Sequence, residues 1–163
     1  MFDIEPVTLV FSFVLFGAFT VPFIYHSRKN SQKESRIFQQ LSESASKLNS
    51  SIDTKESWRY EYALGLDSQK GILYYFQSTE EKAPTPYRLQ DFKKVYVTKK
   101  NLEFQSGSNT KSVLDKVSLE LTPKDSKTSP VTLELYDGEK YSDLMGETLI
   151  ADKWAELLKK HLN

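Results

Sequence analysis

The sequence contains no cysteine among its 163 residues. Disulfides, thiolate metal sites, iron–sulfur clusters and a thiol nucleophile are therefore excluded, and packing alone must hold the fold together. Histidine occurs only twice, as His26 and His161, far apart in the chain. A metal cluster or a histidine-based catalytic pair would require those distant segments to meet, so we expect neither a metal nor any other cofactor.

Glycine is also scarce, and the six glycines are too scattered to form a phosphate-binding loop. Carboxylates do occur in two groups, Glu80 with Glu81 and Asp137 with Glu139 and Asp143. Both groups lie in polar segments typical of exposed turns, where no apolar pocket would shift a carboxyl pKa. We therefore predict that the chain is not an enzyme, with a cryptic enzyme as a remote alternative.

The sequence lacks a net charge as well, because 22 basic residues balance 22 acidic ones. No overall field would attract a polyanion, and no basic tail supplies a local one. Nucleic acid is therefore excluded as an expected partner.

The longest uncharged run lies near the N-terminus and reads VTLVFSFVLFGAFTVPFIY, from Val7 to Tyr25. As a helix rising about 1.5 Å per residue, it is just long enough for a hydrocarbon layer of roughly 30 Å. Basic residues follow the run, at Arg28, Lys29, Lys33 and Arg36. That bias predicts an integral, single-pass protein of the plasma (inner) membrane, with its N-terminus outside and its C-terminal domain in the cytoplasm.

Residues 27–54 form a polar connector without Gly or Pro, a composition that permits helix. Its apolar residues step by three and four, as in a coiled-coil seam, at Phe38, Leu41, Ala45, Leu48 and Ile52. Two interpretations are open. In the first, the helix docks on its own domain or stays solvated; in the second, it pairs with another copy and makes the chain a homo-oligomer.

From Trp58 onward the hydrophobic period changes to two, which predicts a domain boundary near residues 54–57. One face of the first predicted strand is made of Trp58, Tyr60, Tyr62, Leu64 and Leu66. A turn at residues 67–71 then leads into a second strand. Further strands are predicted around residues 93–99, 117–121 and 131–135, with the short connections that antiparallel pairing allows.

The tail changes period again, from about Asp143 to Leu162. Its apolar stripe consists of Leu149, Ile150, Trp154, Leu157 and Leu158. An amphipathic helix of this kind packs over the open end of a sheet. The predicted fold is α+β: a transmembrane helix at residues 1–26, the polar helical connector at 27–54, and at 55–163 an antiparallel sheet or partly open barrel closed by a C-terminal amphipathic helix.

Several antiparallel strands, a first hairpin reading LGLDSQKGILYYF and a C-terminal helix carrying Trp154 resemble the pleckstrin-homology-like fold, including its bacterial membrane-anchored members. The ending GETLIADKWAELLKKHL is also similar to the close of bacterial membrane proteins. Phosphoinositide-binding members carry several basic residues on the first two strands and their loop, where this chain has only Arg59 and Lys70. The resemblance therefore implies a surface for a protein or a peptide, as in adaptors and scaffolds.

One lysine-rich strand supplies the candidate contact residues, which are Lys93, Lys94, Tyr96, Lys99 and Lys100. Lysines at a strand edge deter aggregation, and that explanation needs no ligand. The same lysines suit an anionic membrane surface or a protein partner. We expect a protein-interaction or scaffolding module, with an anionic-lipid-sensing domain as the alternative.

Overall fold

The structure is a computed structural model that describes residues 6–78, 83–106 and 109–162. Helix α1 spans Pro6–Ser46 and helix α2 spans Glu147–Lys159. The first antiparallel sheet contains, in spatial order, β1 (Thr54–Trp58), β2 (Tyr62–Asp67), β3 (Ile72–Gln77) and β4 (Thr85–Arg88). A 3-10 turn at Leu89–Asp91 leads to the second antiparallel sheet, which contains β5 (Phe92–Ser106), β6 (Asn109–Pro123) and β7 (Val131–Asp137).

Helix α1 runs without a break from the segment predicted to be the anchor into the predicted connector, and it ends at Ser46, before the connector ends at residue 54. Within the predicted span, the side chains at residues 7, 8, 22, 23 and 24 lie outside the described residues. No helix in the described parts of the chain is long and apolar enough to cross a membrane. That finding overturns the prediction of a transmembrane helix at residues 1–26 and of a single-pass membrane protein.

The first predicted strand is two strands joined by a tight turn. Arg59 and Tyr60 have φ values of 54° and 55°, and the Glu61 N–H donates to the Trp58 carbonyl at 3.2 Å. Two successive positive φ values reverse the chain as in a type I′ turn, although neither residue is Gly or Asn. Trp58 pairs with Tyr62 across the hairpin and their rings stack. The alternating apolar pattern of the sequence therefore continues across the turn and does not indicate that a turn is there.

The main core lies between the two sheets and α2. Trp154 is its largest fully buried side chain, and the Trp154 indole N–H donates to the Glu56 carboxylate at 2.6 Å. Alongside it, Ala151, Ala155 and Leu158 are buried. The predicted stripe is wrong at Leu149, which is 74% exposed because the buried face of α2 is rotated toward the two alanines.

The two sheets do not close into a barrel. In the described residues, no ladder of hydrogen bonds joins a strand of the first sheet to a strand of the second. The 3-10 turn at Leu89–Asp91 separates β4 from β5, since its backbone bonds do not continue a ladder. The prediction of a partly open barrel is therefore corrected to two separate sheets with α2 packed between their open ends.

A second, smaller core lies on the outer face of the first sheet, beneath the C-terminal part of α1. Its buried members are Ile37, Leu41, Ala45, Ala63, Ile72, Tyr74 and Phe76. Strand β2 is consequently buried at every position, because the main core covers one face and the helix covers the other. The C-terminal part of α1 belongs to the folded domain in this structure.

Asp67 ties the segment that follows α1 to the turn between β2 and β3. Its carboxylate accepts hydrogen bonds from the Ser50 hydroxyl at 2.6 Å, the Ser51 N–H at 2.9 Å and the Lys70 N–H at 2.8 Å. Burial alone would raise the pKa of Asp67, but these hydrogen bonds outweigh burial and hold the pKa below its usual 3.8. The charged form of Asp67 is therefore favoured in the folded chain.

The docking of α1 predicts unequal effects for one substitution at two leucines. Leu41→Ala should lower the free energy of unfolding by about 2–5 kcal/mol, because Leu41 is fully buried against the first sheet. Leu48→Ala should lower it by no more than about 1 kcal/mol, since Leu48 is 39% exposed. Urea titrations of both variants measure the difference, and equal effects would contradict docking of the helix.

The lowered pKa of Asp67 predicts a pH-dependent stability. Because the folded pKa lies below 3.8, the carboxylate stabilises the fold above that pH and loses its contribution as the pH falls through the folded pKa. Asp67→Asn should therefore be less stable than the native chain at pH 7, and the gap in unfolding free energy should shrink below about pH 4.

The control for this prediction is Asp125→Asn, which removes the same charge from an exposed position. It should leave the free energy of unfolding at pH 7 within about 0.5 kcal/mol of the native value. A gap for Asp67→Asn that stays constant from neutral to acidic pH would contradict the role assigned to the carboxylate.

Candidate protein-interaction edge

Each sheet ends in two edge strands, which are β1 and β4 in the first sheet and β5 and β7 in the second. An edge strand presents unpaired N–H and C=O groups that invite another strand to add. The surrounding residues cover these four edges to different extents. This difference identifies one edge as a candidate site.

Residues of α1 form hydrogen bonds beside both edges of the first sheet. At β1, the Ser57 hydroxyl donates to the Glu34 carboxylate of α1 at 2.9 Å. Strand β4 is only four residues long and contains Pro86, which has no N–H to offer. Beside it, the Ser44 hydroxyl of α1 donates to the Pro84 carbonyl at 3.0 Å. Neither edge presents a long open ladder.

Side chains of the first sheet cover the edge at β7. The Trp58 indole N–H donates to the Leu135 carbonyl at 2.9 Å, and the Tyr75 hydroxyl donates to the Glu134 carbonyl at 2.7 Å. The Glu134 carboxylate in turn accepts from the Tyr62 hydroxyl at 3.0 Å. These bonds occupy acceptors that an added strand would need, so β7 is a closed edge.

Strand β5 is the remaining edge, and it is 15 residues long with β6 as its only strand partner among the described residues. The structure places all five predicted contact residues along it, each exposed: Lys93, Lys94, Tyr96, Lys99 and Lys100. Lys99 is 3.3 Å from Asp152 of α2. In the described ranges, no carboxylate forms an ion pair with the other three lysines.

Between the two bulges of β5, residues 94, 96, 98 and 100 point to the outer face of the second sheet, because side chains alternate along a strand and Val95 is buried in the core. There the Tyr96 hydroxyl donates to the Glu120 carboxylate across the ladder, which raises the pKa of Tyr96 above its usual value. Lys100 lies directly opposite Lys116 in the β5–β6 pairing. Asp137 lies 3.6 Å from Lys116 and compensates its charge, so Lys100 is the member of this pair that forms no ion pair in the described residues.

Beyond Lys100 the β5–β6 hairpin extends as a two-stranded ribbon, because β7 pairs with β6 only from Lys116 onward. On the ribbon, Leu102 lies directly opposite Val113. These two side chains are 55% and 52% exposed, respectively. The open edge therefore combines backbone groups, unpaired lysines and an exposed apolar pair, a set of features that suits a polypeptide ligand.

The five predicted self-association residues do not share one environment. Leu41 and Ala45 are buried in the second core, and Phe38 and Ile52 pack against it from partly buried positions. Leu48 lies beyond the end of α1 and is exposed. In this structure, residues of the predicted coiled-coil seam pack within the chain. Leu41 and Ala45 are buried there, so they offer no surface to a second copy.

Sequence reasoning missed a charged cluster that connects the β1–β2 turn to the start of α2. Arg59 is buried, forms an ion pair with the fully buried Glu147 and places its guanidinium 4.2 Å from the Tyr141 ring centre. The second Glu147 oxygen accepts from the Met145 N–H at 2.6 Å. Arg59 and Glu147 are 88 residues apart, and no local pattern marks them as partners.

This cluster holds the structure together and does not resemble a reaction centre, because its buried charges satisfy one another. In the part of the chain that the structure describes, no three His, Asp or Glu side chains come close enough to hold a metal ion. A comparison of the chain with protein-family models, with curated proteins and with solved structures finds no match.

The Arg59 cluster predicts that Glu147 and Asp143 contribute unequally to the free energy of unfolding. Glu147→Ala should lower the free energy of unfolding by about 3–5 kcal/mol, because it leaves a buried guanidinium without its partner. Asp143→Ala should cost at most about 1 kcal/mol, since the Asp143 carboxylate is 70% exposed and 3.6 Å from Arg59. Thermal and urea unfolding of both variants test this, and similar losses for the two would contradict the structural role.

Proposed function

We propose that this chain is a protein-interaction module that binds an extended, acidic segment of a partner protein along the edge of β5. The observation that carries the proposal is the contrast between the four sheet edges: three are short or hydrogen-bonded by other elements, whereas β5 is the longest, keeps its lysines exposed and meets α2 at the Lys99–Asp152 pair. Strand addition to an open edge is a recurrent mode of peptide recognition, in which main-chain hydrogen bonds provide affinity and side chains provide specificity.

The lysines would select acidic segments. Lys93, Lys94 and Lys100 are exposed, so each pairing with a ligand carboxylate would contribute at most about 1 kcal/mol. Their larger effect is to speed the encounter with an acidic partner and to disfavour basic ones. Burial of Leu102 and Val113 by an apolar ligand side chain would add about 1.5–3 kcal/mol for each side chain that becomes fully covered.

The resemblance to pleckstrin-homology-like domains is part of this proposal. The order of elements supports it: four antiparallel strands, then three antiparallel strands, then one amphipathic helix whose Trp154 fills the core. Because such domains often serve as adaptors, the resemblance agrees with binding of a protein segment.

An anionic-lipid-sensing role is the alternative, and it relies on the same lysines, each worth about 1 kcal/mol near an anionic surface. Two features of the edge favour a peptide. A lipid headgroup makes no use of the open N–H and C=O groups of β5, and the exposed Leu102–Val113 pair is matched by side chains of a polypeptide.

The proposal predicts that peptides selected on the full chain from a random display library are acidic and bind along β5. Backbone amide NMR shifts should change most in residues 92–106. Lys94→Glu combined with Lys100→Glu should weaken binding of a selected peptide about tenfold, because two favourable charge contacts become repulsive. The measurement is a fluorescence anisotropy titration.

The matched control is Lys33→Glu combined with Lys127→Glu, which makes the same charge change at exposed positions on α1 and in the β6–β7 loop, outside β5. It should leave peptide affinity within about twofold of the native value. Selected peptides whose amide shifts map elsewhere would contradict the proposal. Binding of anionic vesicles that is abolished only by the β5 pair, with no selectable peptide, would favour the lipid-sensing role instead.

A further inference from the structure

Two cavities lie at the end of the domain where the β2–β3 turn, the end of β4 and the end of α2 meet. Their volumes are about 300 and 260 Å³. Both are lined by Lys70 and Gln90, so they adjoin each other, and no residue of β5 lines either of them. This region is therefore separate from the interaction edge proposed above.

Basic side chains from three different elements line these cavities. Lys70 comes from the β2–β3 turn, Arg88 from the end of β4, and Lys160 with His161 from the end of α2. No acidic residue is among the lining residues of either cavity. Elements distant in sequence thus bring several positive charges together around one polar space, where mutual repulsion is unfavourable unless an anion is present.

Within the described residues, two of these basic side chains have no carboxylate partner that would neutralise their charge. In residues 6–78, 83–106 and 109–162, neither Arg88 nor Lys160 forms an ion pair. The Lys70 ammonium donates to the carbonyls of Leu48 and Asn49, which fix its position, and it forms no ion pair with a carboxylate of the described residues. The cavities are therefore cationic.

Two carboxylates near the β2–β3 turn, Asp67 and Asp53, are already occupied by hydrogen-bond donors. Asp67 is held by Ser50, Ser51 and the Lys70 backbone, as described above. Asp53 accepts from the Ser68 N–H at 2.8 Å and from the Ser68 hydroxyl. These contacts hold both carboxylates in the turn structure, where neither pairs with Lys70, Arg88 or Lys160.

The geometry of the α2 terminus fixes the remaining basic residues, Lys160 and His161. The Lys160 N–H donates to the carbonyls of Leu157 and Leu158, and the His161 N–H donates to the Leu158 carbonyl at 2.9 Å. These bonds close the last helical turn and direct the chain toward the β2–β3 turn. The positions of Lys160 and His161 are thus set by the backbone and do not depend on a flexible tail.

We propose that these cavities bind a phosphate group, as part of a soluble phosphorylated compound or of a lipid headgroup. A phosphate monoester carries up to two negative charges and three strong acceptor oxygens, which matches a set of converging donors better than a single carboxylate does. The Arg88 guanidinium can donate two parallel hydrogen bonds to such a group, and Lys70 and Lys160 add point charges.

Calorimetric titration of the full chain with inorganic phosphate tests the soluble source, and flotation with phosphatidylcholine vesicles containing phosphatidic acid tests the lipid source. Arg88→Gln combined with Lys160→Gln should weaken whichever binding is seen by about tenfold, since two charge-assisted contacts are lost. Lys33→Gln combined with Lys127→Gln removes the same charge from exposed positions that line neither cavity, and it should leave that binding within about twofold.

Loss of binding in the cavity variant alone, with an unchanged thermal midpoint, supports the site. Response to inorganic phosphate then assigns a soluble ligand, whereas response only to phosphatidic acid, and not to phosphatidylserine, assigns a lipid headgroup. Absence of binding to both probes overturns the proposal. Equal weakening in the two variants also overturns it, because the effect would then follow net charge and not these cavities.

Discussion

Burial of β2 on both faces is the constraint on which the rest of the structure depends. Leu64 and Leu66 enter the main core on one face, whereas Ala63 lies in the second core on the other. A strand buried on both sides requires a covering layer on each, and here those layers are the second sheet with α2 and the C-terminal part of α1. The fit under α1 is imperfect, because the buried Tyr74 hydroxyl has no hydrogen-bond partner among the described residues.

Covering β2 in this way also decides which edges stay open. Helix α1 lies across the first sheet and places Glu34 and Ser44 beside β1 and β4. Packing of the two sheets brings Trp58 and Tyr75 onto β7. Strand β5 lies on the far side of the second sheet from these contacts, where α2 meets it at the Lys99–Asp152 pair. The interaction edge is thus a consequence of how the core is closed.

The two proposed surfaces obtain their positive charge in different ways. Along β5, neighbouring lysines of one strand are exposed together, and the sequence alone places them next to each other. Around the cavities, Lys70, Arg88 and Lys160 come from elements far apart in the chain, and only folding collects them. The Arg59–Glu147 pair belongs to the second kind, although there the opposite charges meet and neutralise each other.

The sequence by itself determined the features that depend on near neighbours: the alternating strands, the lysines of β5, and an amphipathic C-terminal helix around Trp154. It did not reveal the turn at Arg59 and Tyr60, because Arg and Tyr are not residue types that indicate a positive φ. Tertiary structure alone decided that Leu41 and Ala45 pack on their own sheet, that the sheets stay separate, and which edge is open. Those outcomes depend on contacts between distant segments. A local sequence pattern does not indicate the energies of such contacts.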